Sequence, residues 1–268
     1  MKTEPACASD GTQSIERAVR VLRLLSSLNF AGGMTFAEIQ QASGLAKGTL
    51  YRIIRALRRE GFVERHPSSG KLYLGMDFLA LGLASMNRLN LRELARPHLQ
   101  RLAARTEDTV FLSIRVGPGS VCIDRCDGSF PIKTVTLNVG DHRPLGLGAG
   151  ALALLAWLDD DEIKDIIGHN ARRFPGNPVV APAALAAAVA RSRKAGYAFN
   201  DGQMLKSMCA VAIPVSERGG APFAALSIAA IAERMEPARR TALVEALRQA
   251  ADCLGAELAA RGAQAPKI

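Results

Sequence analysis

The stretch Gly44 to Gly61, GLAKGTLYRIIRALRREG, restricts this chain more than any other. At about 100° per residue, a helix starting near Lys47 places Leu50, Ile53, Ile54 and Leu57 on one narrow stripe. Gly48, Arg52, Arg55 and Arg59 fall on the opposite side, with Lys47 and Tyr51 on one flank and Thr49 on the other. One face suits a small core, and the other presents cations and hydrogen-bond donors. Gly61 ends the helix and Phe62-Val63 opens a strand. A helix of this width fits the major groove of DNA. The bland alternative is a solvated basic helix on any globular domain, so the surroundings decide.

Charge collects on this stretch. Of a net charge of +9, seven Lys or Arg between Lys47 and Lys71 against Glu60 and Glu64 supply +5 in 25 residues. That suggests a polyanionic partner, without separating DNA from RNA or a membrane surface. The 268 residues, 49% of them hydrophobic, suffice for one large or two medium domains. No apolar run reaches the roughly 18–20 residues that a membrane span needs. The first residues, MKTEPACASDGTQ, have no apolar signal core, so a disordered tail without an export signal is expected. Five cysteines at scattered spacing form no disulfide framework, and a reducing cytoplasm is the expected compartment.

The flanking elements give the basic helix a context. Ser14 can cap a helix with apolar positions Ile15, Ala18, Val19, Leu22 and Leu25. Thr35 can cap a second, short helix over Phe36 to Ala42 that buries Phe36 and Ile39, and Ser43-Gly44-Leu45 is a tight turn. After the basic helix, Phe62 to Arg65, a turn at Pro67 to Gly70, and Lys71 to Leu74 read as a β-hairpin. Helix, helix, turn, basic helix, hairpin is the winged helix-turn-helix order, in which the short turn sets the second helix across the first for entry into the groove. Arg65, His66, Ser68, Ser69 and Lys71 occupy the hairpin tip, suited to phosphates or the minor groove.

SIERAVRVLRLLSSL, TFAEIQQASGLAKGTLYRIIRALRREGFVER and GKLYLG together resemble the DNA-binding domain of IclR-type bacterial transcriptional regulators. The resemblance runs on through nearly the whole chain. It implies a C-terminal ligand-sensing domain and assembly as a homodimer or homotetramer on double-stranded operator DNA. The polar face of the basic helix and the hairpin tip put Lys47, Gly48, Thr49, Tyr51, Arg52, Arg55, Arg59, Arg65 and Lys71 forward for DNA contact, to base or to phosphate. One departure stands out. Relatives commonly carry Pro, Lys or Arg, Ser, Thr before the recognition helix, and here the run is Ala46-Lys47-Gly48-Thr49. Gly48 removes a hydroxyl that could touch phosphate, so either the half-site is read differently or Thr49 does that work.

Residues 76–106 carry spread leucines with Pro97 among them, and read as two helices meeting near Asn90. The broad apolar surface from Phe78 to Leu89 suits a dimer contact, with an ordinary intradomain helix as the alternative. Beyond them the pattern predicts strands at Val110 to Val116, Val121 to Arg125 and Lys133 to Val139, then a Gly-rich loop entering an apolar helix, Arg143 to Leu158. Helices over Asp159 to Ile167 and Pro182 to Lys194, strands at Tyr197 to Asn200, Cys209 to Val215 and Phe223 to Ile231, and a last helix from Pro237 complete it. The fold class is therefore α+β: residues 14–75 a winged helix-turn-helix, 76–106 connecting and dimerising helices, and 107–262 a GAF-like α/β effector-binding domain with an antiparallel sheet, between tails at 1–13 and 263–268.

The Gly-rich stretch lacks the Lys-Ser/Thr of a P-loop and the setting of a dinucleotide fingerprint. It does offer backbone N–H groups at a helix start, good donors for a carboxylate. PLGLGAGALALLA, GYAFNDGQ and AVAIPVSERGGAPFAALSIAA again resemble the same family. Carried over position by position, the resemblance places an effector at Gly148, Ala149, Gly150, Asn200, Asp201, Met208, Ala210, Ser227 and Ala229. Asn stands where relatives have Asp, and Ala where they have a second Ser, so a hydrophobic or aromatic carboxylate is expected over a two- or three-carbon keto acid.

Cys122 and Cys126 could share a strand face, and with His142 and His169 sketch a zinc site, but without a tight ligand pair the pattern is weak. Arg125 could meet a ligand carboxylate. No metal, cofactor or catalytic residue is assigned. The resulting expectation is a cytoplasmic transcriptional regulator, repressor slightly before activator, controlled by a small organic acid and not associated with a membrane. The rivals are a protein-interaction winged helix and an enzyme fused to a nucleic-acid-binding domain.

Overall fold

The computed structural model describes residues 12–26, 32–86 (backbone alone for 83–86), 91–134, 136–202, 205–216 and 220–260. The chain forms two compact units, Met1–Arg88 and Leu89–Ile268. The expected tails, the break near Asn29 and the junction near Asn90 fall outside the described residues, wholly or in part.

The first unit contains helices α1 (Gln13–Leu25), α2 (Phe36–Ser43) and α3 (Lys47–Arg59), strands β1 (Val63–Arg65) and β2 (Leu72–Leu74), and helix α4 (Asp77–Met86). Thr35 starts α2 with a reciprocal capping box: its hydroxyl accepts from Glu38 N–H while the Glu38 carboxylate accepts from Thr35 N–H at 2.7 Å. These bonds hold the Glu38 carboxyl below the usual carboxylate range. Gly44, at φ 67°, closes α2 in the left-handed conformation and turns the chain into α3. Val21, Leu25, Met34, Ile39, Leu50, Ile54, Val63 and Leu72 fill the core. β1 and β2 pair antiparallel, and an isolated bridge from Met34 to Leu72 extends the wing.

Helix α1 corrects the sequence reading in two respects. Its N-cap is Thr12 rather than Ser14, and it makes no side-chain capping bond. Its core face is Val21 and Leu25, flanked by Leu22 and Leu24, whereas Ile15 is 66% and Val19 37% exposed. The helix is apolar on two stripes, and periodicity alone does not say which one the core of this unit covers.

The second unit holds α5 (Leu91–Thr106), β3 (Thr109–Val116), β4 (Gly119–Cys126), β5 (His142–Pro144), α6 (Ala149–Ala156), α7 (Asp160–Arg173), α8 (Pro182–Ala195), β6 (Ala198–Asp201), β7 (Met208–Ser216), β8 (Pro222–Ile231) and α9 (Pro237–Ala260). Its six strands run in the order β5-β4-β3-β8-β7-β6, every pair antiparallel. Leucines and alanines of α5 and α9 share one core with Val110, Leu112, Val211, Ile213, Leu226 and Ile228 on one face of the sheet. On the other face α6, buried along its length, joins α7, α8, Ala198, Ala212 and Ala225 in a second core. Pro97 sits inside α5.

Polar ties cross this unit. Asp108, 4% exposed, takes Arg234 Nε at 2.9 Å and Arg239 Nη2 at 2.6 Å. Asp124, 1% exposed, ties β4 to α5 through Arg96 at 2.8 Å and Arg92 at 3.6 Å.

Two expectations fail here. Lys133 to Val139 is not a strand: its described residues have no regular structure, and the edge strand is β5 instead. Arginine side chains, rather than a sheet partner, take its carbonyls, with Arg125 Nη1 donating to Leu137 O and Arg143 Nη2 to Thr136 O. Nor do Cys122 and Cys126 share a face. A bulge opposite Leu112/Ser113 lets Cys122 pack with Phe111 and Ala229, while Cys126 packs into the α5/α9 core. Among the described residues, no group of three or more His, Cys, Asp or Glu is placed to hold a metal, and no helix is long and apolar enough to cross a membrane.

Candidate functional site

In the first unit, α3 buries Leu50 and Ile54 and half-buries Ile53 and Leu57, which turns Lys47, Gly48, Tyr51, Arg52, Arg55 and Arg59 outward as exposed residues. Thr49 is half-buried. Arg52 and Arg55 make no ion pair among the described residues, whereas Arg59 lies 2.9 Å from Glu60. In the wing, Arg65 Nε donates to Gly70 O at 3.2 Å and braces the turn, and Lys71 is half-buried. His66 Nδ1 meets Ser68 Oγ at 3.1 Å, and Tyr73 OH donates to Gly32 O at 2.7 Å. The surface is a ridge of exposed cations, Arg52 and Arg55 without an ion pair among the described residues, beside a braced hairpin.

In the second unit a cavity of about 40 Å3, open to solvent on one side, lies where α6 begins. Its lining includes Gly148, Ala149, Gly150, Asn200, Met208, Ala210, Ser227 and Ala229. Strand register explains the grouping. Asn200, Ala210 and Ala229 form one row across β6, β7 and β8, and Ala212, Ser227 and Phe111 form the next. The small side chains of Ala210 and Ala229 leave the floor low. Gly150 sits over two hydroxyls: a Cβ there would lie 3.5 Å from Ser113 Oγ and 3.6 Å from Ser227 Oγ. Gly148, at φ 88°, caps α6 without a side-chain bond, so the first N–H groups of the helix are left to a ligand or solvent.

Asp201 is a correction: it lies outside this lining, exposed on the edge strand, where it accepts from Cys209 Sγ at 3.6 Å. This contact and burial push the Cys209 thiol up from its ordinary value, burial being the larger cause. Arg125 is a second correction. It pairs with Asp127 at 2.9 Å, stacks over Phe111 and bonds the loop through Asn138, and it is not among the residues that line the cavity. Phe111, Thr136, Leu137, Arg143 and Cys209 line the cavity and were not anticipated. For Arg143 a signal existed: it directly precedes the Gly-rich loop. Burial pulls the Arg143 guanidinium below its ordinary range, opposed by the nearby Asp141 and Cys122. Cys122 is itself raised to about 12, mainly by burial, which makes it a neutral packing thiol rather than a nucleophile.

A winged helix-turn-helix with a bare cationic face, joined in one chain to an antiparallel α/β unit with a helix-capped cavity, defines a ligand-responsive DNA-binding regulator. Comparison with known proteins makes the class specific. Residues 14–67 match the IclR helix-turn-helix domain, and residues 83–255 match the bacterial transcriptional regulator IclR C-terminal domain. The chain belongs to the IclR family of transcriptional regulators. It is 28% identical over 239 residues to the HTH-type transcriptional regulator XynR of Escherichia coli, covering 89% of this chain and 94% of that one. It is 30% identical over 253 residues to the glycerol operon regulatory protein of Streptomyces griseus, covering 92% and 97%. Among solved structures, an IclR regulator from Alicyclobacillus acidocaldarius matches with TM-score 0.74 and 25% identity over 91% of this chain and 98% of that one. An IclR homologue from Microbacterium hydrocarbonoxydans, complexed with 4-hydroxybenzoate, matches with TM-score 0.71 and 25% identity over 92% and 99%. These families and relatives are regulators rather than enzymes.

Proposed function

We propose that the cavity at the start of α6 binds a small organic acid with an apolar or aromatic body, and that its occupancy controls operator affinity. The observation that carries the reading is the cavity itself: helix-start N–H donors at one end, over a floor of Ala210 and Ala229 with Phe111, Leu137 and Met208 around it. The donors favour an anion, and the apolar floor favours a hydrocarbon body over a second polar group. The homologue holding 4-hydroxybenzoate supports an acid of this kind.

On the DNA side, α3 enters the major groove and presents Lys47, Gly48, Thr49, Tyr51, Arg52 and Arg55, with Arg59, Arg65 and Lys71 reaching phosphates at its margins. The regulator acts in the cytoplasm as a homodimer or homotetramer, and as a repressor. Ile15 and Val19 on α1, Met76 just before α4, and Leu79 and Leu81 on α4, the last three 54–66% exposed, are apolar side chains that a second copy would cover. Two-fold symmetry also fits a reader of paired half-sites.

A thermal-shift panel of aromatic and aliphatic acids, glyoxylate and pyruvate, followed by operator titration with each hit, tests the effector reading. A bound acid raises the melting temperature by mass action. Stabilisation by glyoxylate or pyruvate with indifference to the hydrophobic acids would refute it.

A further inference from the structure

The second unit treats its half-buried arginines consistently, with one exception. Arg115 meets Glu162, Arg125 meets Asp127, Arg234 meets Glu107 and Asp108, and Arg239 meets Asp108. Arg240 stacks on Phe199, its guanidinium carbon 4.4 Å from the ring centre. Arg143 does neither. Among the described residues it makes no ion pair and one hydrogen bond, from Nη2 to Thr136 O. The acid that influences it, Asp141, turns Oδ2 to Asn138 N at 2.7 Å. A guanidinium has five N–H donors, and removing them from water without replacement partners is costly.

The position of those unused donors is specific. A Cβ built on Gly148 would stand 2.9 Å from Arg143 Nη1, so the guanidinium edge lies against the N-cap of α6. Two sources of positive potential, a fixed cation and a helix start, therefore meet at one side of the cavity. The Thr136 carbonyl holds Nη2 and leaves Nη1 toward Gly148.

We propose that Arg143 is the carboxylate-recognising residue of the cavity, and that it makes the effector site selective for monoanionic acids over neutral molecules of the same shape. The assignment rests on the reading of this cavity as the effector site. A carboxylate placed between Nη1 and the first N–H groups of α6 receives charge-assisted bonds that an amide or alcohol cannot match. It also returns a counter-charge to a cation that burial disfavours. The apolar body of the ligand then lies over Ala210 and Ala229, away from the charged end.

The test is calorimetric titration of the full-length protein with benzoate and with benzamide, which share a shape and differ in charge. The proteins compared are wild type, Arg143→Gln and Arg143→Lys, each checked for an unchanged circular dichroism spectrum and operator binding. The wild type is expected to prefer benzoate by about 10- to 100-fold, the range for a charge-assisted bond. In Arg143→Gln the two affinities should converge to within a few-fold through loss of benzoate affinity, and Arg143→Lys should keep part of the preference. Equal binding of both probes by the wild type, or an undiminished benzoate preference in Arg143→Gln, would overturn the role of Arg143 and leave the cavity reading standing. Binding of neither probe by the wild type would overturn both.

Discussion

Replacing Arg52 and Arg55 together with alanine tests the recognition surface most directly. Both side chains are exposed on α3 and make no intramolecular ion pair among the described residues, so their removal disturbs little within the protein. Alanine is also a better helix former, and the change in folding stability should stay within about 0.5 kcal/mol. On DNA the effect is large. Each phosphate neutralised contributes about −0.9 to the slope of log K against log salt. If both arginines contact phosphate in each half-site of a dimer, four contacts disappear and the slope becomes shallower by roughly 3.6. Between 50 and 200 mM salt the wild-type affinity would then fall by about 100-fold more than that of the double variant. If instead they read guanine, the slope moves less and each bidentate pair lost costs about 1–3 kcal/mol of discrimination. Fluorescence anisotropy with an operator and a scrambled duplex across a salt series separates the two. Arg59→Ala is the internal comparison: this side chain already faces Glu60 at 2.9 Å, so its loss should change the slope less. Unchanged operator affinity and an unchanged slope in the double variant would refute the assignment of α3 as the reading helix.

Other consequences follow from single residues. Ala229→Leu places three more carbons on the cavity floor; acid binding should fall at least tenfold while operator binding persists, and calorimetry that finds the acid affinity unaltered would move the ligand elsewhere. Cys122, raised to about 12 in the native state against roughly 9 when unfolded, holds its proton more tightly when folded, so its contribution is intact below pH 9 and is lost as the pH climbs toward 12. Urea unfolding at pH 7 and pH 10 should show the wild type losing about 1–2 kcal/mol more than Cys122→Ala over that interval, and parallel losses would contradict the buried-thiol account. Arg96→Ala loosens the tie from α5 to the buried Asp124 without touching cavity or DNA surface. It should alter the ratio of operator affinities measured with and without acid by about 2- to 30-fold, and a constant ratio would show that this tie carries no coupling.

The order of elements was readable where local rules and tertiary demand agree. The capping box at Thr35, the left-handed turn at Gly44 and the single apolar stripe of α3 each admit one solution. Helix α1 admits two, since either stripe would serve a core. The segment from Lys133 to Val139 has strand-like composition, but arginines from β4 and β5 reach over to bond its carbonyls, a long-range event with no local signature. The bulge that separates Cys122 from Cys126 is a property of strand register, which spacing within one strand cannot reveal. At the cavity, positions on the Gly-rich turn and on β6 to β8 were accessible through the family resemblance. Arg143 reads in the sequence only as the start of the Gly-rich loop, whereas Arg125 offers itself as a carboxylate partner. Only the partners distinguish them: Arg125 has Asp127 and Phe111, and Arg143 has a carbonyl and a helix start.

The same deficit, cations without acids, does different work in the two units because the surrounding dielectric differs. Arg52 and Arg55 stand in water, where a single pair at contact distance gains about 1 kcal/mol and is screened beyond about 8 Å at physiological salt. A surface of that kind acquires affinity by summation over many phosphates, and its binding must weaken steeply as salt rises. Arg143 is half-buried beside a helix start, where a single anion can meet both the guanidinium and the helix N–H groups and screening is weaker than at the open surface. Operator binding should therefore depend strongly on ionic strength, and acid binding by the same protein only weakly. The acid can act on the operator only to the extent that it binds more tightly to one arrangement of the protein than to another; tight binding that favours neither leaves DNA affinity unchanged. If the cavity is the effector site, effector strength is set by how differently the ligand binds the two arrangements, and not by the depth of the cavity.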